Sequence, residues 1–401
     1  SESRGPAPEP NYVAARELFG RVLRDYPWFP QYDLALYVDG FMAAEQGKSD
    51  EAFERFSRLL RDYPKSRFVP DAHMAKAESY FGVKYDYPAA LAEYEEVLKF
   101  KDSDLYGLAL FKSAWCLWRL NRSDEAVTRF VKVFEVTDKR KGASLSERKQ
   151  LDELEGEALK YLVEVFTEDE KNTATDMHRF LARIGGDRFA VKIVRALADT
   201  FYDQAHYERG IEAYELLLKL DPTSKEAPQW VLSIAQGYDT LEDYPKLRAT
   251  YERLLVTYTG QGSWARTQSD PALTAQVTEK VRTLLLQSAL SAHGKAQRDK
   301  TNQGEFEAAA SLYDLYLSRF KDNPEAYDVY YNLADIQFHR TGKNSEAATN
   351  YLAVFGGDLN DGWAEAVLSV GVVLVVAFMN IRGITIARLG RIGLLSVVDV
   401  T

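Results

Sequence analysis

The chain has 401 residues, 46% of them hydrophobic and 27% charged, the values of a protein that buries a core. Sixty acidic residues against 50 basic ones leave a net charge of −10, which argues against a nucleic-acid partner, since phosphate binding needs a concentrated basic surface. The lone Cys116 excludes an internal disulfide and, within the apolar run FKSAWCLW, reads as a small buried hydrophobe.

The first ten residues, SESRGPAPEP, lack the apolar core of a signal peptide and read as a flexible leader. A helical pattern follows at 12–27, YVAARELFGRVLRDYP, and ends at a proline. From here a phrase recurs. A small residue is followed four positions later by an aromatic one: Ala15 and Phe19, Ala52 and Phe56, Ala90 and Tyr94, Ala126 and Phe130. The phrase continues as Gly210 and Tyr214, Leu247 (larger) and Tyr251, Ala309 and Tyr313, and Ala347 and Tyr351. Positions 15, 52, 90 and 126 are spaced by 37, 38 and 36 residues, 210 and 247 by 37, and 309 and 347 by 38. Residues four apart share one helix face, so the small residue admits a neighbouring helix and the aromatic fills the space beside it.

Polar turns precede three of the phrases: GKSD at 47–50, NRSD at 121–124 and GKNS at 342–345. Apolar helical runs precede the turns, such as LALYVDGFMAAEQ at 34–46 and LALFKSAWCLWRL at 108–120. Each unit is therefore a helix–turn–helix that cannot bury its own apolar face, and stacking supplies the missing cover. The array opens on the second helix of a unit, so its first helix is replaced by the leader or lies before residue 1.

Two stretches break the rhythm. A polar loop at 138–149 leads into a degenerate unit at 150–186, with helices predicted near 151–167 and 174–184. A Gly/Ser/Thr-rich loop at 257–270 leads into a long helix predicted at 271–298. The resulting division is a leader (1–10), an N-terminal array (11–256), a loop (257–270), C-terminal repeats (271–361) and an apolar tail (362–401). In the tail, 366–379 is apolar except for Ser369 and Gly371, and 364–381 gives eighteen residues, the length of a short membrane span. Arg382, Arg388 and Arg391 follow it, which for a span would set the C-terminus in the cytoplasm. A cap on the last repeat, and sequence foreign to the array, are the competing readings.

No catalytic, cofactor or metal site is expected. GKS at 47–49 ends like a phosphate-binding loop, but Met42 stands where that motif needs glycine, and no strand precedes it. The histidines His73, His178, His206, His293 and His339 show no zinc spacing. Acidic pairs such as Glu95 and Glu96 fit a solvated helix face. Lys139, Arg140 and Lys141 form a basic loop.

The repeat resembles the tetratricopeptide repeat family over about 11–355. Departures are the early aromatic of the first helix, replaced by Leu36, Met74, Leu110, Val194 and Val231, and the mid-helix glycine, kept only as Gly40. The resemblance implies an all-α fold, an α-solenoid whose first helices line a concave groove that holds a protein or peptide partner without catalysis. Groove-facing positions are then Tyr37, Phe41, Phe111, Trp115 and Trp118 early in the array, and Lys192, Arg195 and Tyr202 later, followed by the more polar Gln229, Gln236, Asp239, Asn332 and His339. Aromatic side chains favour that role because they bury much area with few rotatable bonds. The competing reading packs Trp115 and Trp118 between repeats. The lysine–asparagine pattern that clamps a peptide carboxylate in some members does not recur. The repeat period and the phrase RDYPKS are similar to tetratricopeptide proteins of the bacterial cell envelope. That resemblance implies a place on the periplasmic side of a multiprotein complex, with a cytoplasmic adaptor as the alternative.

Overall fold

In a computed structural model, residues 12–139 and 144–355 are described. Seventeen α-helices and no strand occur among them. The leader and the tail lie outside the described residues, so the anchor and cap readings concern sequence alone. Among the described residues no helix is long and apolar enough to cross a membrane.

The chain divides into two compact units meeting at residues 200 and 201. In the first, α1 (Val13–Asp25) precedes α2 (Tyr32–Glu45) with α3 (Ser49–Asp62), and α4 (Val69–Ser79) with α5 (Tyr87–Val97). Next come α6 (Tyr106–Arg119) with α7 (Ser123–Lys139), then α8 (Leu145–Thr167), α9 (Ala174–Ile184) and most of α10 (Ala190–Asp203). From α1 to α8 each helix packs on the next, and α6 also touches α8. The second unit holds α11 (Tyr207–Leu220), α12 (Ala227–Thr240) and α13 (Tyr244–Thr257). These are followed by α14 (Pro271–Arg298), α15 (Gln303–Phe320), α16 (Ala326–His339) and α17 (Asn344–Phe355). Here too each helix packs on its chain neighbour, as the local repeat requires.

The small–aromatic phrases form the core of both units. Ala52 and Phe56, Ala90 and Tyr94, Ala126 and Phe130, Gly210 and Tyr214, Leu247 and Tyr251, and Ala309 and Tyr313 are all buried. Burying one such aromatic stabilises by about 2–3 kcal/mol, so the phrase is a main source of cohesion. Gly40 shows why the first helix must be small where the second crosses it. A Cβ there would lie 2.9 Å from the Phe56 ring and 3.1 Å from Arg55 Cβ.

Four of the turns inside the helix pairs share one geometry. Gly47, Asn121, Ala205 and Glu242 all take a left-handed backbone conformation, at φ of 71°, 58°, 59° and 56°. The next residue in each case donates its N–H five residues back, as Lys48 to Ala43, Arg122 to Leu117, His206 to Phe201 and Asp243 to Tyr238. This is the Schellman closure of a helix C-terminus, which satisfies carbonyls the helix leaves open. GKS at 47–49 is thus a helix–helix turn. The turn after α4 is widened by one residue: Tyr80–Lys84 form a π-helical turn, Tyr85 is left-handed, and Asp86 N–H reaches back six residues to Tyr80.

Two local readings of the sequence need correction. The predicted loop at 138–149 is shorter, because Ser144 and Glu147 make a reciprocal capping box that starts α8 at Leu145. The stretch 257–270 is not wholly a solvated loop. Trp264 is buried in it, donating its indole N–H to the Ser224 carbonyl at 2.8 Å and packing on Tyr258. The long helix α14 spans the predicted 271–298, and 271–280 carry no buried side chain.

Candidate functional site

Phe111, Trp115 and Trp118 lie at i, i+4 and i+7 on α6 and so share one stripe. The structure brings them together with a fourth ring, Tyr161 on α8. Trp115 meets Tyr161 edge-on at 4.4 Å between ring centroids, and the tilted Trp118 ring lies 5.0 Å from Trp115 and 6.3 Å from Tyr161. Phe111 lies 6.0 Å from Tyr161 and rests edge-on against the buried Phe130 at 5.7 Å. All but Phe130 are half-buried. Trp118 donates its indole N–H to Glu168 at 2.9 Å. The Arg119 guanidinium sits over both indoles, at 5.6 and 5.7 Å, and Lys160 lies over Tyr161. The ring faces are therefore supplied with cations by the chain itself, and what remains for a ligand is apolar edge and surface.

Tyr161 stands in the degenerate unit, where no small–aromatic phrase marks it. The signal was a helical stripe: Leu151, Leu154, Ala158 and Tyr161 recur at spacings of three, four and three.

Towards the other end of α6 the stripe opens into a cavity of about 820 Å³. Leu108 and Phe111 of α6 and Leu151 and Leu154 of α8 line it. Gly107 lets the two helices close up, since a Cβ there would meet Leu154 Cδ2 at 3.2 Å.

The other predicted positions have different surroundings. Tyr37 stacks on Phe68 at 4.8 Å and 9°, inside the packing of the first repeats. Its hydroxyl pKa is pushed up by burial and, secondarily, by Asp71. Phe41 is exposed on α2. Lys192 pairs with Glu155 and lies over the Phe134 ring, while Arg195 faces Asp199 at 3.9 Å. Tyr202 belongs to the second unit, where it donates to the Ser233 carbonyl at 2.6 Å and meets Tyr207 and Tyr214 edge-on. In that unit the α12 positions are polar as read: Ser288 of α14 donates to Asp239 at 2.7 Å, and Gln229 accepts from Lys280. His339 faces Asp335 at 3.6 Å. Lys139 stands at the lip of the 820 Å³ cavity, and Arg140 and Lys141 fall outside the described residues. Among the described residues no group of three or more histidine, cysteine or acidic side chains could hold a metal ion.

Stacked helix pairs with a buried small–aromatic crossing and a shared left-handed turn define a helical-repeat protein that presents side chains from its first helices. The tetratricopeptide repeat family model matches residues 42–105 and 298–355, so those two stretches carry tetratricopeptide repeats. Among solved structures it is similar to a tetratricopeptide repeat protein from Parabacteroides merdae, at 16% identity over 81% of this chain and 92% of that one, with a TM-score of 0.29. It is also similar to the P58(IPK) TPR domain, at 15% identity over 86% and 98%, TM-score 0.24. A structure of Naa15/Naa10 bound to HypK-THB gives 15% identity over 88% and 62%, TM-score 0.26. No curated protein matches the chain.

Proposed function

We propose that the protein is a non-catalytic scaffold that holds a partner protein on the first-helix face around α6 and α8. The supporting observation is the half-buried cluster of Phe111, Trp115, Trp118 and Tyr161 beside an open apolar cavity. Clustered aromatics flanked by an open trough are the composition of interface hot spots. The tetratricopeptide repeat matches at 42–105 and 298–355 support the same reading, since stacked repeats build extended binding surfaces. The test is a photo-crosslinking residue placed at Trp118 in the cell, against one at Lys132, exposed on α7. One defined adduct is expected at 118 and none at 132. Equal labelling at both, or none at either, refutes the surface.

We further place the protein in the bacterial cell envelope, on the similarity of its repeat phrase to envelope proteins and on the apolar stretch 364–381 with its following arginines. Fractionation of the native protein tests this, and recovery in the cytoplasmic fraction overturns it.

A further inference from the structure

The cavity between α6 and α8 has a chemistry that narrows the partner, given the scaffold reading above. Its floor is two leucine-rich ridges at i, i+3 spacing, Leu108 with Phe111 and Leu151 with Leu154. Two neighbouring helix ridges with a trough between them accept a third helix, whose own side-chain row fills the trough. Its lip is acidic. Asp104, Glu147, Glu153 and Glu157 line it against a single lysine, Lys139, among the described lining residues. Glu153 and Glu157 sit one turn apart on the exposed side of α8, next to Leu154. Glu153 has only a loose partner in Lys149, at 3.8 Å, with both side chains largely in solvent.

An apolar trough edged by carboxylates is complementary to one occupant. The geometry points to a basic amphipathic helix of a partner protein, its apolar stripe seated on Leu108, Phe111, Leu151 and Leu154, its lysines or arginines meeting Glu153 and Glu157. Charges on such a lip are solvated, so they set selectivity and encounter rate, and salt weakens them. The leucines and Phe111 supply the desolvated area, and the aromatic cluster continues the surface beyond the trough.

The test uses the full chain and two labelled 18-residue designed helices with the same leucine face. One carries a lysine and arginine polar face, the other a glutamate one. Binding is read by fluorescence anisotropy at low and high salt. The chain carries a net charge of −10, so generic attraction must be separated from the groove. The variant Glu153→Lys/Glu157→Lys therefore runs beside Asp50→Lys/Glu54→Lys, an equal reversal on exposed positions of α3. Leu108→Glu tests the floor, and circular dichroism checks that all variants stay helical.

The basic helix is expected to bind, and the acidic one at least tenfold more weakly. The groove reversal and Leu108→Glu should each weaken binding of the basic helix at least tenfold, and the α3 reversal less than threefold. Equal loss in both reversals, equal binding of both peptides, or no binding of the basic helix overturns the inference. If Trp118 still crosslinks one cellular partner in any of those cases, the scaffold reading stands and only the identity of this occupant falls.

Discussion

Replacing glycine by alanine at two positions in the first repeats should act with opposite signs, and the structure says why. Gly20 lies mid-way along α1, and a Cβ added there meets nothing within 4 Å. Alanine lowers the entropy of the unfolded chain and favours the helix, so Gly20→Ala should stabilise by about 0.5–1 kcal/mol. Gly40 lies mid-way along α2, and the same methyl group would sit 2.9 and 3.1 Å from Phe56 ring carbons and 3.1 Å from Arg55 Cβ. Neither neighbour is free to move. Phe56 is 3% exposed and packs on Tyr37, while the Arg55 guanidinium holds the buried Asp39 at 2.8 Å. Overpacking of this kind costs about 1–3 kcal/mol. Set against the same helical gain of up to about 1 kcal/mol, Gly40→Ala should lose about 1–2 kcal/mol. Urea unfolding followed by circular dichroism measures both, with midpoints compared because repeat arrays need not unfold in one step. If Gly40→Ala stabilises as much as Gly20→Ala, the close crossing of α2 and α3 is not what Gly40 provides.

Three further outcomes follow from the geometry. Ala205 is exposed and left-handed at φ 59°, so Ala205→Gly should stabilise by about 1 kcal/mol in thermal or urea melts, whereas a neutral or lower midpoint contradicts the turn assignment. His293 is buried among Tyr313, Gln297 and Phe306, and burial lowers its pKa from the usual 6.5, against a weaker upward pull from Asp335. The unfolded chain then takes up a proton that the folded one resists, so stability should fall as the pH drops below 6.5, and His293→Gln should flatten that dependence in urea midpoints at pH 7.5 and 5.5. Cys116 is fully buried, and burial, aided by Glu78, pushes its thiol pKa up to about 12. Ellman's reagent should leave it unmodified in the native protein and react with it completely in denaturant, and rapid native labelling would refute the packing of α6.

The fold was legible because its cause is local. Ala126 and Phe130, one turn apart, declare a buried face without any knowledge of what covers it, and the 36–38-residue spacing then supplies the cover. Features that depend on contacts across the sequence were not legible in that way. Asp39 reads as one more charge on a helix, yet it is 2% exposed and clasped by Arg16 at 3.1 Å and Arg55 at 2.8 Å, from the helices on either side. Trp264 lies among glycine, serine and threonine, so composition spoke for solvent, while its indole N–H had a carbonyl to meet forty residues earlier. At the site, spacing placed Phe111, Trp115 and Trp118 on one stripe of α6. Counting from a phrase could not reach Tyr161, whose unit has none. The same counting selected Tyr37, whose ring is taken up by Phe68, because period fixes the face of a helix but not how closely the next helix covers it.

The lengthened α14 has its own physical consequence. None of its first ten residues is fully buried, so their winding rests mainly on the continuity of a 28-residue helix and the Asp270 cap, with Lys280 reaching Gln229 of α12 at the tenth position. Winding that depends on propagation from a packed distal end weakens turn by turn towards the free one. Amide hydrogens there should exchange in a graded series, fastest near Pro271 and slowest past Val281, and this overhang is the place in the second unit where added turns disturb no core.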